Sequence, residues 1–376
     1  MKMNLKFWKK PTPEKPVSTI RKWYNDIAFA VIAATLFRWG VAQAFVIPTP
    51  SMENTLLVGD YLFVSKLHYG VQTPQTPLQV PLTHQRIWGT NIPSYLNWIQ
   101  LPVYRFPGIT EVKRGDVVVF YIPPVALNDG IDYPRDLKNN YVKRCVGVPG
   151  DTLRVIDGEV WVNEERMEVQ PGQKHAYWVT ARDIINKRNL RQLDLDDNDY
   201  YPVGQTREGT ALYRMFLTRQ QAETISNLPY VLKSELDTST SSQHDPGLFP
   251  QSMASSWSVD NYGPLIIPKA GQTMEVNDQM LAAYGEIISL YEGNDHVDIK
   301  GGRLIIDGED IASYTFRQNY YFMMGDNRHN SLDSRFWGFV PEDHIVGKPL
   351  FVWFSMNEGG GLLDKVRWNR IFTLVD

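Results

Sequence analysis

Residues 151–163, Asp-Thr-Leu-Arg-Val-Ile-Asp-Gly-Glu-Val-Trp-Val-Asn, are the stretch that decides the fold. They contain a strand pattern, a two-residue turn with glycine and a second strand pattern, which is typical of a β-hairpin. Residues 295–307 align with them without a gap and predict a second hairpin. Because two copies are too few for a repeat architecture, we expect a repeated hairpin within one β-rich unit.

Further strands are predicted on the N-terminal side of the first hairpin. Residues 57–66 indicate a turn followed by a strand, and residues 115–120 indicate a turn that leads into a short buried strand. Residues 141–148 predict another strand, which a Pro-Gly pair stops. The proline-rich residues 71–108 predict an irregular, partly apolar loop that lies on a membrane surface or lines a substrate cleft.

A polar insert, residues 168–294, separates the two hairpins. Thr218 has the spacing of a capping box for one helix, and Asn277 is a candidate cap for a second helix. The tract 194–199 begins like a calcium-binding loop, but it lacks glycine at its sixth position and glutamate at its twelfth. It therefore predicts a solvated acidic turn rather than a metal site.

Charge is distributed unevenly along the chain. Residues 1–47 carry eight basic and two acidic side chains, a net charge of +6, whereas the whole chain carries −4 and the remainder therefore −10. An acidic bulk argues against nucleic-acid binding by the globular part. The basic arm, residues 1–26, fits an N-terminus that stays on the cytoplasmic side of a membrane.

The 21 residues from 27 to 47 are largely apolar and are interrupted by Arg38. Their number matches the roughly 20 residues that cross a bilayer as a helix. The sequence therefore predicts a transmembrane helix over residues 27–47, with the bulk of the chain outside the cytoplasm. Two alternatives stay open: a signal peptide cleaved after Ala42-Gln43-Ala44, and a core helix of a soluble protein.

The common catalytic motifs are absent from the sequence, which has no HExxH, no P-loop and no GxSxG. The single cysteine, Cys145, excludes an intrachain disulfide and a cysteine-based zinc site. All seven histidines lie in polar or loop-like contexts. We predict no metal and no cofactor, and lysine remains as the candidate base.

Ser51 and Lys143 are the candidate catalytic pair. Ser51 lies in the sequence Pro-Thr-Pro-Ser-Met of residues 48–52, directly after the apolar segment, and Lys143 lies inside the apolar strand pattern. Burial disfavours the ammonium form and lowers the pKa of a lysine. A buried Lys143 near Ser51 would therefore accept the proton of its hydroxyl group. The alternative, a lysine that reaches the surface and has no chemical role, stays open.

A third polar cluster spans residues 324–338. Its charged and hydrogen-bonding side chains indicate a network that holds a loop in one geometry, and Gly325 and Gly338 suit a tight backbone. An ordinary well-bonded turn is a compatible alternative.

Four stretches together carry a family resemblance: residues 50–52, 114–118, 143–151 and 325–338. They follow an apolar segment in the order found in type I signal peptidases, also called leader peptidases. The chain resembles that family over residues 45–66, 112–163 and 300–356, and the insert lies outside the resemblance.

The resemblance implies a membrane-anchored serine endopeptidase that removes signal peptides after small residues of the Ala-x-Ala type. Ser51 matches the nucleophile of the family, and Lys143 matches its general base. Thr49 matches a hydroxyl group that binds the oxyanion together with the Ser51 N–H.

The last motif supplies the residues expected to support this dyad: Ser331, which matches a serine that orients the lysine, Asp333 and Arg335, which match an ion pair, and Asp326 and Arg328. Two departures from the family pattern affect the region. Glu53-Asn54-Thr55 replaces the usual proline after the Ser-Met pair, and His329 stands where an acidic residue is common.

The fold that the resemblance implies is mainly antiparallel β. We therefore expect a mainly β protein in which an N-terminal transmembrane helix precedes an antiparallel β catalytic domain, residues 48–167 and 295–376. A large α/β insert of unknown role, residues 168–294, interrupts this domain. The implied partners are signal peptides of preproteins delivered by the secretion machinery and the lipid bilayer, without nucleic acid. The implied location is the cytoplasmic membrane, with the N-terminus in the cytoplasm and the catalytic domain in the periplasm.

Two rival functions remain. A soluble or self-cleaving Ser-Lys peptidase of the repressor type is one, and the membrane segment argues against it. A membrane-tethered β-domain that binds partners without catalysis is the other, and in it Ser51 and Lys143 would lie apart. A distance within hydrogen-bond reach between the two side chains discriminates against this second rival.

Overall fold

The computed structural model describes residues 18–205, 209–237, 245, 247–254, 256–357 and 365–375. Strands are the main elements of these residues, and the strands of each sheet pair in antiparallel fashion. The predicted mainly β, antiparallel fold class is therefore confirmed. The helices are α1 (Thr19–Gly40), α2 (Lys187–Gln192), α3 (Arg219–Ser226), α4 (Asp278–Leu290) and α5 (Ser334–Trp337).

A seven-stranded sheet joins the two ends of the described chain, in the order β1-β2-β20-β3-β4-β18-β19. Its strands are β1 (Ala42–Val46), β2 (Asp60–Ser65), β3 (Val117–Tyr121), β4 (Asn140–Gly147), β18 (Tyr320–Met324), β19 (Val340–Pro341) and β20 (Ile345–Ser355). Val118 and Val119, neighbours on β3, belong to two different buried apolar clusters. Because successive strand residues point to opposite faces, both faces of this sheet are covered.

Both predicted hairpins are present. They join β5 (Thr152–Ile156) to β6 (Glu159–Val162) and β14 (Val297–Lys300) to β15 (Arg303–Ile306). The turn residues Asp157 and Gly158, and likewise Gly301 and Gly302, all have positive φ angles. This is the backbone of a two-residue turn that matches the twist of its strands.

Short strands extend both hairpins into small sheets: β7 (Glu165–Arg166) and β12 (Tyr262–Ile266) join the first hairpin, and β16 (Glu309–Ile311) joins the second. The strands β13 (Thr273–Glu275) and β17 (Ser313–Thr315) pair with each other in a separate two-stranded sheet. Leu153 of the first hairpin, Leu304 of the second and Tyr284 of α4 share one buried apolar cluster. The two hairpins and α4 therefore belong to one core.

The predicted insert has two parts that pack in different places. Its first part forms a four-stranded sheet of β8 (His175–Ala181), β9 (Tyr200–Gln205), β10 (Ala211–Leu217) and β11 (Val231–Leu236). This sheet has its own buried cluster, which includes Val179, Tyr213 and Ile225. Its later part packs on the first hairpin, since β12 pairs with β5. The domain division at residues 167/168 and 294/295 stays a prediction.

Both helix caps predicted in the insert are present. Thr218 Oγ1 accepts a hydrogen bond from Gln221 N–H at the start of α3, and Asn277 Oδ1 accepts one from Met280 N–H at the start of α4. The predicted solvated turn at residues 194–199 is wrong for Asp199, whose carboxylate is buried. Burial is tolerated because this carboxylate forms an ion pair.

The predicted helix over residues 27–47 is wrong in its extent. Helix α1 ends at Gly40, and residues 42–46 form the edge strand β1. Strand β1 pairs with β2, with Ala42 opposite Ser65, so its backbone groups bond across the sheet instead of along a helix. Within the described residues, no helix has the length and apolar character needed to span a bilayer. Residues 1–17 of the predicted basic arm lie outside the described residues.

Residues 71–106, which we call the proline-rich arm, run out from the sheet and back as two irregular antiparallel segments. Val80 N–H donates to Ser94 O, and Phe106 N–H donates to Val71 O. At the root, the Arg105 guanidinium donates to four backbone carbonyl groups. The predicted irregular, partly apolar course is confirmed.

Candidate active site

Ser51 lies in a short 3-10 turn, Pro50–Met52, between β1 and β2. Proline suits the first position because its φ is preset and it needs no acceptor for an N–H. Met52 is completely buried, and Ile47 N–H donates to Asp60 O at the base of the loop. These contacts fix the turn against the seven-stranded sheet, and Ser51 is only 7% exposed.

Lys143 extends from β4, an interior strand of the seven-stranded sheet, and is 3% exposed. Its Nζ lies 2.6 Å from Ser51 Oγ and 3.1 Å from Val142 O. Burial lowers the pKa of Lys143 to about 8, although the carboxylates of Asp333 and Asp326 act in the opposite direction. A substantial fraction of this lysine is therefore neutral at mildly alkaline pH, and a neutral amine in this position can accept the Ser51 proton.

The predicted oxyanion donors surround the same hydroxyl group. Thr49 Oγ1 lies 3.5 Å from Ser51 Oγ. The Ser51 N–H makes no hydrogen bond to any protein group in the described part of the chain. A donor without an internal acceptor is available to a negatively charged oxygen that develops beside Ser51.

The loop of residues 325–327 closes the other side of the turn Pro50–Met52. Asn327 N–H donates to Ser51 O at 3.1 Å, and Asn327 Nδ2 donates to Pro50 O at 3.3 Å. A Cβ atom on Gly325 would lie 2.5 Å from Ser51 O and 2.3 Å from Ser331 Oγ. Only glycine permits this close approach, so the expected tight backbone at Gly325 is confirmed.

Two buried ion pairs stabilise this loop, one with the sheet strand β4 and one within the segment that follows the loop. Arg144 Nε and Nη2 donate to the two oxygens of Asp326, at 2.8 and 2.7 Å, and Thr55 Oγ1 donates to Asp326 at 2.6 Å. Arg335 Nε and Nη2 donate to the two oxygens of Asp333, at 2.9 and 2.8 Å. Asp326, Asp333 and Arg335, which the sequence predicts as supporting residues, are therefore brought together beside Lys143.

Ser331 and Arg328 lie in the same loop but make fewer contacts than expected. The hydrogen bonds of Lys143 Nζ go to Ser51 and Val142, and Ser331 is not among its partners within the described residues. The Arg328 side chain is buried, and its Nε and Nη1 find no hydrogen-bond partner there. Burial, together with the nearby Arg335, lowers the pKa of Arg328 to about 10.

The substitution at His329 is compensated by the insert. His329 Nε2 lies 2.9 Å from Asp260 Oδ1, and His329 Nδ1 accepts a hydrogen bond from Ala176 N–H. An accepting Nδ1 places the proton of a neutral imidazole on Nε2, which then donates to the carboxylate. Asp260 supplies the acidic group that the loop itself lacks.

Sequence reasoning missed Lys174, Asp199 and the burial of Glu53. Lys174 and Asp199 form a buried ion pair, and the Lys174 backbone bonds to the loop of residues 326–328 that binds Ser51 O. Burial raises the pKa of Glu53, two residues after Ser51, to about 7. The sequence gives one signal for this region, the departure from the family pattern at Glu53. It indicates that the contacts around this residue differ from those of the family, but it does not identify Lys174 or Asp199.

The arrangement is suited to nucleophilic attack by Ser51 on a carbonyl group. The 2.6 Å contact with Lys143 argues against the rival in which the two side chains lie apart, while their chemical roles stay predictions. Within the described residues, no group of three or more histidine, cysteine or acidic side chains is arranged to hold a metal ion.

Comparison with known proteins agrees with this geometry. Residues 20–226 and 266–354 match the family model of signal peptidase, peptidase S26. Signal peptidase I of Helicobacter pylori strain J99 is 29% identical over 363 residues, which cover 92% of this chain and 90% of that protein. Signal peptidase I of Aquifex aeolicus is 23% identical over 336 residues, which cover 89% and 85%. The chain therefore belongs to the signal peptidase family, peptidase S26.

Proposed function

We propose that this protein removes signal peptides from exported preproteins as a serine endopeptidase, with Ser51 as the nucleophile and Lys143 as the general base. The observation that carries the proposal is the 2.6 Å contact between Ser51 Oγ and Lys143 Nζ, both buried. Membership of the signal peptidase family supports the substrate class.

The first chemical step forms an acyl-enzyme. Neutral Lys143 accepts the Ser51 proton while Ser51 Oγ attacks the carbonyl carbon of the last signal-peptide residue. The Ser51 N–H and Thr49 Oγ1 donate hydrogen bonds to the oxyanion, and one such donor contributes about 2.7–4 kcal/mol to transition-state stabilisation. The protonated Lys143 then gives its proton to the leaving amine, which becomes the N-terminus of the mature protein.

The second step hydrolyses the Ser51 ester. Lys143, neutral again, accepts a proton from a water molecule as that water attacks the ester carbonyl carbon. The tetrahedral intermediate collapses, the signal peptide leaves with a new carboxyl terminus, and Ser51 recovers its proton from Lys143. One group therefore serves as base and acid in both halves of the reaction.

The polar loop of residues 325–335 acts on this dyad indirectly. We assign Asp326, Arg328, Ser331, Asp333 and Arg335 as positioning residues. The ion pairs support this assignment because they fix the loop that binds Ser51 O. For specificity, we propose shallow pockets that accept small side chains of the Ala-x-Ala type.

We further propose that the enzyme works at the cytoplasmic membrane, with residues 48–167 and 295–376 as a catalytic domain on its extracytoplasmic side. Helix α1 buries none of its side chains in the protein and exposes large apolar ones such as Phe29. Trp39 Nε1 donates to Gln72 O of the proline-rich arm, which exposes Trp88 and Trp98. Tryptophan favours membrane interfaces. Recovery of the full chain in the soluble fraction after cell lysis would contradict this location.

The decisive experiment compares preprotein cleavage by the full-length wild type, Ser51→Ala and Lys143→Met in detergent or liposomes. We expect both variants to remain folded and to lose all measurable cleavage. Ser65→Ala and Lys138→Met are matched controls, since both side chains are buried and neither contacts Ser51. Substantial cleavage by either dyad variant would refute the mechanism, and an inactive wild type on good preproteins would favour the non-catalytic rival.

A further inference from the structure

We infer that Lys174 and Asp199 of the insert are positioning residues that hold the turn Pro50–Met52, which we call the nucleophile turn, in its reactive geometry. The inference rests on the proposed role of Ser51 and assigns a task to a segment that lies outside the motifs of the family. Its basis is a continuous set of contacts from the insert to the backbone of Ser51.

The first contact is a backbone clamp between Lys174 and the loop of residues 326–328. Lys174 N–H donates to Asp326 O at 2.9 Å, and Arg328 N–H donates to Lys174 O at 3.0 Å. Lys174 is thereby paired in parallel with Asn327. Since Asn327 N–H donates to Ser51 O, only one layer of backbone separates Lys174 from the nucleophile turn.

The side chain of Lys174 fixes where this clamp lies. It is 1% exposed, and its Nζ donates to Asp199 Oδ1. Asp199 is itself held by the insert, because its Oδ2 accepts the Asp196 N–H at 2.9 Å and its carbonyl accepts the Phe216 N–H at 2.7 Å. A buried ammonium is costly unless it is paired, so this segment is stable only where it meets Asp199.

The insert also contacts the residues that follow Ser51. Asn54 Nδ2 donates to Gly172 O at 3.2 Å, and a Cβ on Gly172 would lie 3.1 Å from the Asn54 Cβ. Glu53 is 3% exposed, and one of its carboxylate oxygens has no hydrogen-bond partner in the described residues. The insert therefore borders the nucleophile turn on two sides, at residues 53–54 and through residues 326–328.

Lys174 also acts on the charge of Glu53. The groups that act on Glu53 are Lys174 and Arg367, which favour its ionised form, and Asp199 and Asp196, which oppose it. Lys174 therefore lies close enough to Glu53 to act on its pKa, while its direct contact is with Asp199. Removal of that ammonium leaves the buried Asp199 carboxylate without its ion-pair partner. The segment around residue 174 would then shift, and with it the loop of residues 326–328 that binds Ser51 O.

The test is steady-state cleavage of a preprotein by the full-length enzyme in detergent, with kcat and KM determined separately. We expect Lys174→Met to lower kcat by about 10²-fold, because a displacement of about 1 Å has that effect on a catalytic group. The KM should change little, since the substrate pockets are untouched. Lys174→Arg, which keeps the charge, should recover part of the lost kcat.

The control is the double variant Lys187→Met/Asp197→Asn, which removes an exposed ion pair of the same insert and should leave kcat unchanged. If Lys174→Met fails to fold, Asp199→Asn, which keeps the shape of the side chain, gives the comparison. Folded variants with the kcat of the wild type, or with a loss confined to KM, would overturn the inference.

Ser51→Ala is assayed in parallel to separate this inference from the proposed function. An inactive Ser51→Ala beside fully active Lys174 and Asp199 variants refutes the positioning role alone. An active Ser51→Ala refutes the proposed mechanism, and the positioning role with it.

Discussion

Two buried lysines lie near Ser51 and differ in what their amines contact. Lys143 contacts Ser51 directly, and Lys174 bonds through its backbone to the loop that binds Ser51 O. Lys143 is 3% exposed, and its Nζ contacts a hydroxyl group and a backbone carbonyl. Lys174 is 1% exposed, and its Nζ contacts the carboxylate of Asp199. Burial is nearly equal, so the neighbours decide what each lysine can do.

The difference supports the proposed role of Lys143 as a base. A carboxylate in direct contact stabilises the ammonium form, and such a lysine serves as half of an ion pair. Asp326 and Asp333 lie close enough to Lys143 to raise its pKa, yet each is bonded to an arginine, Arg144 or Arg335. The two arginines therefore keep the carboxylates from pairing with Lys143, and burial remains the largest influence on the pKa of Lys143.

The largest effect is expected for Lys143→Arg. This change places a permanently charged side chain next to Ser51, where the proposed mechanism needs a neutral amine. A guanidinium cannot release its proton in this pH range, so the loss of the general base should lower kcat by about 10²–10⁴-fold. Lys66→Arg is the matched control, since burial also lowers the pKa of Lys66 to about 8 but Ser51 is not its partner. Near-normal kcat in Lys143→Arg would show that Lys143 is no base.

A pH–rate profile measures the same contrast without a mutation. The reactive form of Lys143 is neutral and its pKa is about 8, so kcat/KM should rise with pH and level off above that value. At pH 6 we expect a rate about 100-fold below the plateau, since only the unprotonated fraction reacts. A profile that is flat from pH 6 to pH 9 would contradict the assignment. Glu53→Gln should keep the alkaline rise, because the rise belongs to Lys143.

The elements that local sequence patterns specify could be predicted. Each hairpin needs only a two-residue turn that tolerates positive φ, and each helix cap needs one side chain at a fixed spacing. The Ser51–Lys143 pair could also be predicted from the sequence, because Ser51 lies after an apolar segment and Lys143 lies inside an apolar strand. The two residues are 92 positions apart in the sequence, so local patterns do not predict their contact. The family motifs do predict it.

The contacts between the insert and the surroundings of Ser51 could not be predicted in the same way. Asp199 lies in a run of acidic residues, and such a run is normally solvated; only its tertiary partner, Lys174, explains its burial. The extent of α1 was missed for a related reason. An apolar run has the same composition whether it continues as a helix or turns into an edge strand. Pairing of residues 42–46 with β2 decides the outcome here.

The smallest expected effect concerns stability, and Glu53→Gln tests the burial of the carboxyl group beside the Lys174–Asp199 pair. Burial raises the pKa of Glu53 from 4.5 to about 7, so between these values the folded state holds more protons than the unfolded state. Stability from this group therefore falls as pH rises through that interval, by at most about 3 kcal/mol. Glutamine cannot ionise. The free energy of unfolding of Glu53→Gln minus that of the wild type should therefore increase from pH 5 to pH 8, as measured by urea denaturation. A difference that stays constant with pH would mean that the pKa of Glu53 is the same in the folded and the unfolded state, and would contradict the effect of burial on this carboxyl group.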